Sequence, residues 1–159
     1  MTIEPMRAAD WPAVARIYEE GLDEGTFEDT VPAWDEWDGS HLAACRVVAR
    51  DRNELVGWAA LSPVSRRPCY QGVAEGSVYV ARTARGRGVG RALLEELCRQ
   101  ADRAGLWTIQ AVMFADNAAS IALHESCGFR LVGRRERIAR KKGVWRDTVL
   151  LDRRSAVVA

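Results

Sequence analysis

The chain has 159 residues, 48% hydrophobic and 28% charged, with a formal net charge of +1. That length suits one ordinary domain over residues 1–159, and the composition excludes a disordered chain. A near-neutral charge supplies no global field toward nucleic acid, and the longest apolar stretch, around Leu55 to Leu61, is far below the ~20 residues that span a bilayer.

In chain order, residues 2–7 read as a first strand. Asp10 caps a helix with Pro12 in its first turn and Val14, Ile17, Tyr18 and Leu22 along one side. A loop at Gly25-Thr26-Phe27 leads to a second helix predicted from Pro32 to about Cys45, carrying Trp34 and Trp37. Strands 46–51 and 54–63 follow, joined by the hairpin signal Asp51-Arg52-Asn53. After a loop from Pro63 to Gly72, strand 73–81 runs through an arginine- and glycine-rich turn into a helix over 88–104, whose apolar positions 89, 93, 97 and 101 form one stripe. Trp107 to Phe114 is an apolar strand, and Asn117 opens a helix that Gly128 stops. A strand over 129–137, a turn near Lys141-Lys142-Gly143 and a last strand over 144–152 complete the chain. Strands interleaved with helices predict an α/β layer fold with a mixed sheet of about seven strands.

The segment with the most chemistry is the turn Arg85-Gly86-Arg87-Gly88-Val89-Gly90-Arg91. Glycines let backbone approach an anion closely, the unpaired N–H groups of a first helical turn point at it, and arginine forks match phosphate oxygens. The same spacing also serves a chain that merely bends before a helix. It is neither the dinucleotide fingerprint nor a P-loop, since both need other glycine spacings. Downstream, Asn117, Ser120 and His124 fall on one helical face at i, i+3 and i+7.

Four cysteines stand singly at 45, 69, 98 and 127, without a C-x-x-C pair, and the chain has two histidines, so no metal site is expected. Eight Arg or Lys fall between Arg130 and Arg146. They suit a solvated strand pair at a sheet edge, with RNA or a coenzyme phosphate as the alternative reading, and no aromatic interleaving suggests base stacking. Met1 to Arg7 lacks the basic and apolar regions of a secretory signal, so the expected location is cytoplasmic.

On these two motifs the chain resembles the GNAT superfamily of N-acetyltransferases, whose acetyl-CoA site uses an R/Q-x-x-G-x-G/A turn, here Arg85, Gly88 and Gly90, and a later helix ending in Gly-Phe, here Gly128-Phe129. The resemblance narrows to the phosphinothricin and methionine sulfoximine acetyltransferases through Ile17-Tyr18-Glu19-Glu20-Gly21, Thr26-Phe27-Glu28, Glu75-x-Ser77-Val78-Tyr79-Val80, Leu123-His124-Glu125 and Gly143-x-Trp145-Arg146-Asp147. It implies a GNAT-like sheet with helices on both faces, a homodimer, and acetyl transfer from acetyl-CoA to the amine of a small amino-acid-like acceptor. It implies coenzyme contacts at Val78, Tyr79, Val80, Arg85, Gly86, Arg87, Gly88, Val89, Gly90, Arg91, Asn117 and Ser120. It also implies an acceptor pocket at Phe27, Glu28 and Tyr70. The chain departs from this branch at Gln71-Gly72-Val73, where an Arg-His-Thr-like segment is usual, which removes a cation expected to read the acceptor's carboxylate.

Acetyl transfer needs a neutral amine, donors for the oxyanion and a proton or dipole for the departing thiolate. Glu75 is the candidate base, and strand alternation places it on one face with Ser77 and Tyr79. Backbone N–H groups near Val78 to Val80 are the candidate oxyanion donors, and His124 is the candidate acid, standing where many GNAT enzymes have tyrosine. Freeing an amine with a pKa near 10.4 at pH 7 costs about 4.6 kcal/mol, against about 1–1.4 for an α-amine near 7.7–8.0, which favours an α-amine acceptor. A protein or antibiotic amine, or a non-catalytic acyl-CoA-binding module, would share the same turn.

Overall fold

The computed structural model describes residues 1–23 and 26–159. Its strands are β1 (Thr2–Pro5), β2 (Arg46–Asp51), β3 (Glu54–Pro63), β4 (Val73–Val80), β5 (Thr108–Phe114), β6 (Arg130–Lys141) and β7 (Val144–Arg154). Four helices join them: α1 (Trp11–Asp23), α2 (Trp34–Ser40), α3 (Val89–Arg103) and α4 (Ala118–Ser126). The strands form one seven-stranded mixed sheet in the order β1-β2-β3-β4-β5-β7-β6, antiparallel throughout except for the central β4–β5 pair.

Alternation along β3 shows why helices cover both faces. Trp58 points to one side, where its ring meets Tyr18 of α1 at 5.5 Å and Trp37 of α2 at 5.7 Å. Its neighbour Gly57 points to the other, where a Cβ would lie 2.9 Å from Leu93 of α3. The predicted stripe of α3 is buried as expected, with Leu94 and Cys98 added to it. On the α1 face, Trp58, Tyr18 and Tyr79 stack with centroids 4.8–5.5 Å apart, which fixes α1 against β3 and β4.

Two hairpins use the turn chemistry their sequences advertise. Arg52-Asn53 and Lys142-Gly143 each place two successive residues at positive φ, the geometry of a two-residue turn matched to strand twist. The second helix is shorter than the span predicted from Pro32 to Cys45. The Ser40 hydroxyl and the His41 ring Nδ1 both donate to the Trp37 carbonyl, at 3.0 and 2.8 Å, and this side-chain capping ends the helix at Ser40. β6 is longer than the predicted 129–137, because bulges between Leu131 and Gly133 and between Arg135 and Ala139 let it resume pairing with β7 as far as Lys141. Of the predicted Gly25-Thr26-Phe27 loop, Gly25 lies outside the described residues. Among those described, no helix is long and apolar enough to cross a membrane.

Arg153 on β7 donates twice to Asp102 on α3, at 3.1 and 3.0 Å, in a half-hidden pair that ties the helix to the far half of the sheet. Hydrogen bonding from Arg153 holds the Asp102 carboxyl below its ordinary value. A lowered carboxyl stabilises the fold above the unfolded value near pH 3.9, and that contribution disappears as the pH falls through the folded one. Asp102→Asn is therefore expected to lower unfolding free energy by about 1–3 kcal/mol at pH 7, with the difference from wild type shrinking toward pH 3 in denaturant titrations.

Candidate active site

The sheet opens in its middle. β4 and β5 pair only at Val73, Ala74 and Glu75 against Thr108, Ile109 and Gln110. Beyond that point β4 stays registered with β3 as far as Val80, and β5 with β7 as far as Phe114, so the two parallel strands diverge. The Ala81 N–H donates to Val56 on the β3 side, and the Gly72 carbonyl accepts from Thr108 on the β5 side. Alternation between these two points aims the backbone groups of Gly76, Val78 and Val80 into the gap. A cleft of about 1200 Å³ follows the opening.

One end of the cleft is the glycine turn. Gly86 and Gly88 take φ of +74° and +80°, and Gly88 is the N-cap of α3. A Cβ at either would meet nothing within 4 Å, so the backbone conformation, not crowding, calls for glycine there, and the space outside stays open. Gly90 answers a different need: a Cβ would sit 3.2 Å from Leu123 of α4, so its absence lets the two helices close on each other. The first α3 N–H groups face this end without intrahelical partners. Arg85 and Arg91 line it. The Arg85 Nε donates to the Val80 carbonyl at 3.4 Å, and Arg91 pairs with Glu95 at 2.8 Å.

The other end lies on the α1 face of the sheet. Glu75 lines it, and its Oε1 accepts from the Gln110 side chain at 3.0 Å, a neutral donor that orients the carboxylate without cancelling its charge. Phe27 and Glu28 form part of the wall, with the Phe27 ring edge-on to Phe114 at 4.7 Å. Tyr18 and Tyr79 also face it. Burial raises the pKa of both phenols, and for Tyr18 the neighbouring Tyr79 and Glu28 add to the effect, so both remain neutral hydroxyls.

Of the residues expected from the sequence, Glu75, Val78, Tyr79, Val80, Arg85, Gly86, Gly88, Val89, Gly90, Arg91, Asn117, Ser120, His124, Phe27 and Glu28 all line this one cleft. Arg87 does not: it turns outward and pairs with Asp51 at 3.4 Å. Tyr70 is exposed in the turn Pro68–Tyr70, outside the lining. Asn117 caps α4, its side-chain oxygen accepting from the Ser120 N–H at 3.1 Å. His124 is buried, and its Nδ1 donates to the Ser120 carbonyl at 2.8 Å. Burial lowers its pKa, the bond to Ser120 acting against that shift.

Three lining or supporting residues carry no site role in the sequence reading. Gln110 reads only as part of an apolar strand. Arg146 reads as a member of the basic run and of the Gly143-x-Trp145-Arg146-Asp147 motif, and its guanidinium lies 4.0 Å from the Phe114 ring centroid at the cleft. Lys141, from the same run, reaches across to the loop before α2, donating to the carbonyls of Thr26 and Glu28. No local signal announces that contact, since its partners lie more than 100 residues away. Among the described residues no group of three or more His, Cys, Asp or Glu is placed to hold a metal.

A mixed sheet split between parallel strands, with a glycine-bounded helix start at one end and a carboxylate at the other, defines an acyltransferase cleft. Comparison with known proteins is specific. The acetyltransferase (GNAT) family pattern matches residues 11–129, and the chain belongs to that family. It is similar to the phosphinothricin N-acetyltransferase of Alcaligenes faecalis, 34% identical across 96% of this chain and 81% of that one. Among solved structures, the ribosomal-protein-alanine N-acetyltransferase from Brucella melitensis superposes with a TM-score of 0.88 at 31% identity, covering 98% of this chain and 100% of that one. The phosphinothricin acetyltransferase of Sinorhizobium meliloti, in complex with acetyl-CoA, gives 0.85 at 33% identity over 96% of this chain and 87% of that one.

Because the Lys141 ammonium holds two carbonyls of the segment that carries Phe27 and Glu28, Lys141→Met is expected to release that wall. Steady-state kinetics should show the acceptor KM raised about 10-fold, with calorimetric acetyl-CoA affinity unchanged.

Proposed function

We propose that this acetyltransferase moves the acetyl group of acetyl-CoA directly to the primary amine of a small amino-acid-like acceptor such as phosphinothricin, methionine sulfoximine or methionine sulfone. The observation that carries the reading is the divergence of β4 from β5. It leaves backbone without a strand partner along one wall of a cleft whose two ends differ in charge character. Those groups suit the amide-rich arm of the coenzyme, and the open turn at Gly86 and Gly88 suits its diphosphate. Relatives named for phosphinothricin support the acceptor class.

Acetyl-CoA supplies an activated thioester carbonyl. The chain's part is to bind, orient and move one proton. Val78 and Val80 aim their N–H groups into the gap, fit to donate to a carbonyl oxygen there. Glu75, oriented by Gln110, takes the proton from the acceptor's ammonium group; the freed amine attacks the thioester carbon, the C–S bond breaks, and the sulfur leaves as a thiolate that takes up the proton shed by the new amide nitrogen. His124, tied to Ser120, braces α4 against Phe129, whose ring it meets edge-on at 5.0 Å. A homodimer belongs to the same reading, supported by the exposed apolar side chains Leu131, Ile138, Val144 and Trp145 on the β6–β7 hairpin.

A panel assay following free thiol decides the acceptor. Phosphinothricin, methionine sulfoximine and methionine sulfone should outpace a lysine peptide and a peptide with N-terminal alanine, and the reverse order would overturn the amino-acid reading. Glu75→Gln should lower kcat/KM about 10²–10³-fold at pH 7, with the deficit narrowing as the pH nears the pKa of the acceptor amine, where solvent removes the proton instead. His124→Phe should cost less than about 10-fold in kcat. A loss above 100-fold with acetyl-CoA affinity intact would assign it the acid role instead.

A further inference from the structure

We propose that Arg146 receives the acceptor's carboxylate, a role that rests on the amino-acid reading above and narrows it. An α-amino acid presents opposite charges on neighbouring atoms, so its pocket needs a cation as well as a base. The segment Gln71-Gly72-Val73 beside Tyr70 carries none, and Tyr70 itself stands outside the cleft. Three arginines line the cleft. Arg85 and Arg91 belong to the glycine turn and the start of α3. Arg146 comes from β7, on the other side of the opening.

Strand register puts it on the acceptor face. Phe114 faces Thr148 directly, and directly opposed residues of an antiparallel pair share a face. Two residues back along β7, Arg146 lies on that same face. Gln110, four residues before Phe114, lies there too and holds Glu75. The acceptor half is therefore bounded by a carboxylate held at Gln110 and by a guanidinium that leans back from its own position on β7 over Phe114, toward the base.

The fork is also set in place. Its carbon sits 4.0 Å from the Phe114 ring centroid, and its Nη2 donates to Asp116 at 2.8 Å. Stacking fixes the plane, and the bond to Asp116 uses one of five N–H groups. Asp116 is 76% exposed, so its hold on the guanidinium is screened by water and yields to a bidentate carboxylate.

The test pairs a substrate change with a residue change. Arg146→Gln should raise the KM for methionine sulfone about 10- to 100-fold. For methionine sulfone carboxamide, which lacks the anion, KM should change less than threefold, and calorimetric acetyl-CoA affinity should hold, showing an intact fold. Arg146→Lys, a charge without the fork, should fall between. Asp116→Asn, which frees the guanidinium without touching the core, should not raise the KM for methionine sulfone. Equal losses on both acceptors, no loss on either, or a raised KM in Asp116→Asn would overturn the assignment. Should wild-type protein acetylate neither compound, the amino-acid reading fails, and this assignment with it. Should wild type acetylate methionine sulfone and Arg146→Gln match it, only the arginine's role is lost.

Discussion

Everything in this protein is arranged around a pair of parallel strands that stop pairing after three residues. Leaving backbone N–H and C=O groups unpaired inside a protein is costly, and sheets ordinarily avoid it. Here the opening is held from outside: β3 keeps β4 in register, β7 keeps β5, and the stacked rings of Trp58, Tyr79 and Tyr18 clamp β4 to α1. Neither strand can drift across to satisfy the other. The groups left without a strand partner suit a ligand with amides of its own, and in the proposed function they make the opening a binding determinant rather than a defect.

The split also divides labour between the two faces of the sheet. On the α3 side the cleft is mostly backbone: positive-φ glycines, the start of a helix and the close approach of α4 that Gly90 allows. On the α1 side the cleft is lined by side chains, with Glu75, the adjacent pair Phe27 and Glu28, and Arg146 drawn from three different segments. A thioester lying in the gap would be reachable from the second face while its carrier is held on the first. That separation lets the amine approach without disturbing the coenzyme.

The sequence revealed these halves unequally, for physical reasons. Glycine spacing before a helix, the Asn117 cap and the apolar stripe of α3 are local patterns, and the structure follows them closely. The end of α2 was misjudged because Ser40 and His41 cap it through side chains that read as ordinary helix residues. Tyr70 and Arg87 were assigned by position in a motif, yet the turns that carry them aim both away from the cleft. The inward reach of Lys141 and Arg146 is hidden differently: a motif can name Arg146, but in a basic run the members that reach inward look the same as those that face solvent.

That last point bears on how such an enzyme changes acceptor. The β6–β7 hairpin lies at the sheet edge, and its exposed arginines pair with aspartates of their own hairpin, as Arg130 does with Asp152 and Arg134 with Asp147. Lys141 and Arg146 break that pattern by reaching to the loop before α2 and to Phe114. A bulge between Arg135 and Ala139 resets the register just before Lys141 and its turn, so these two side chains depend on a local irregularity at the edge. Substitution in an edge hairpin leaves the central strands and the glycine turn undisturbed. On the proposed function, acceptor choice can therefore shift through one or two residues of β6 and β7, while the donor site, built from backbone in the middle of the sheet, stays fixed.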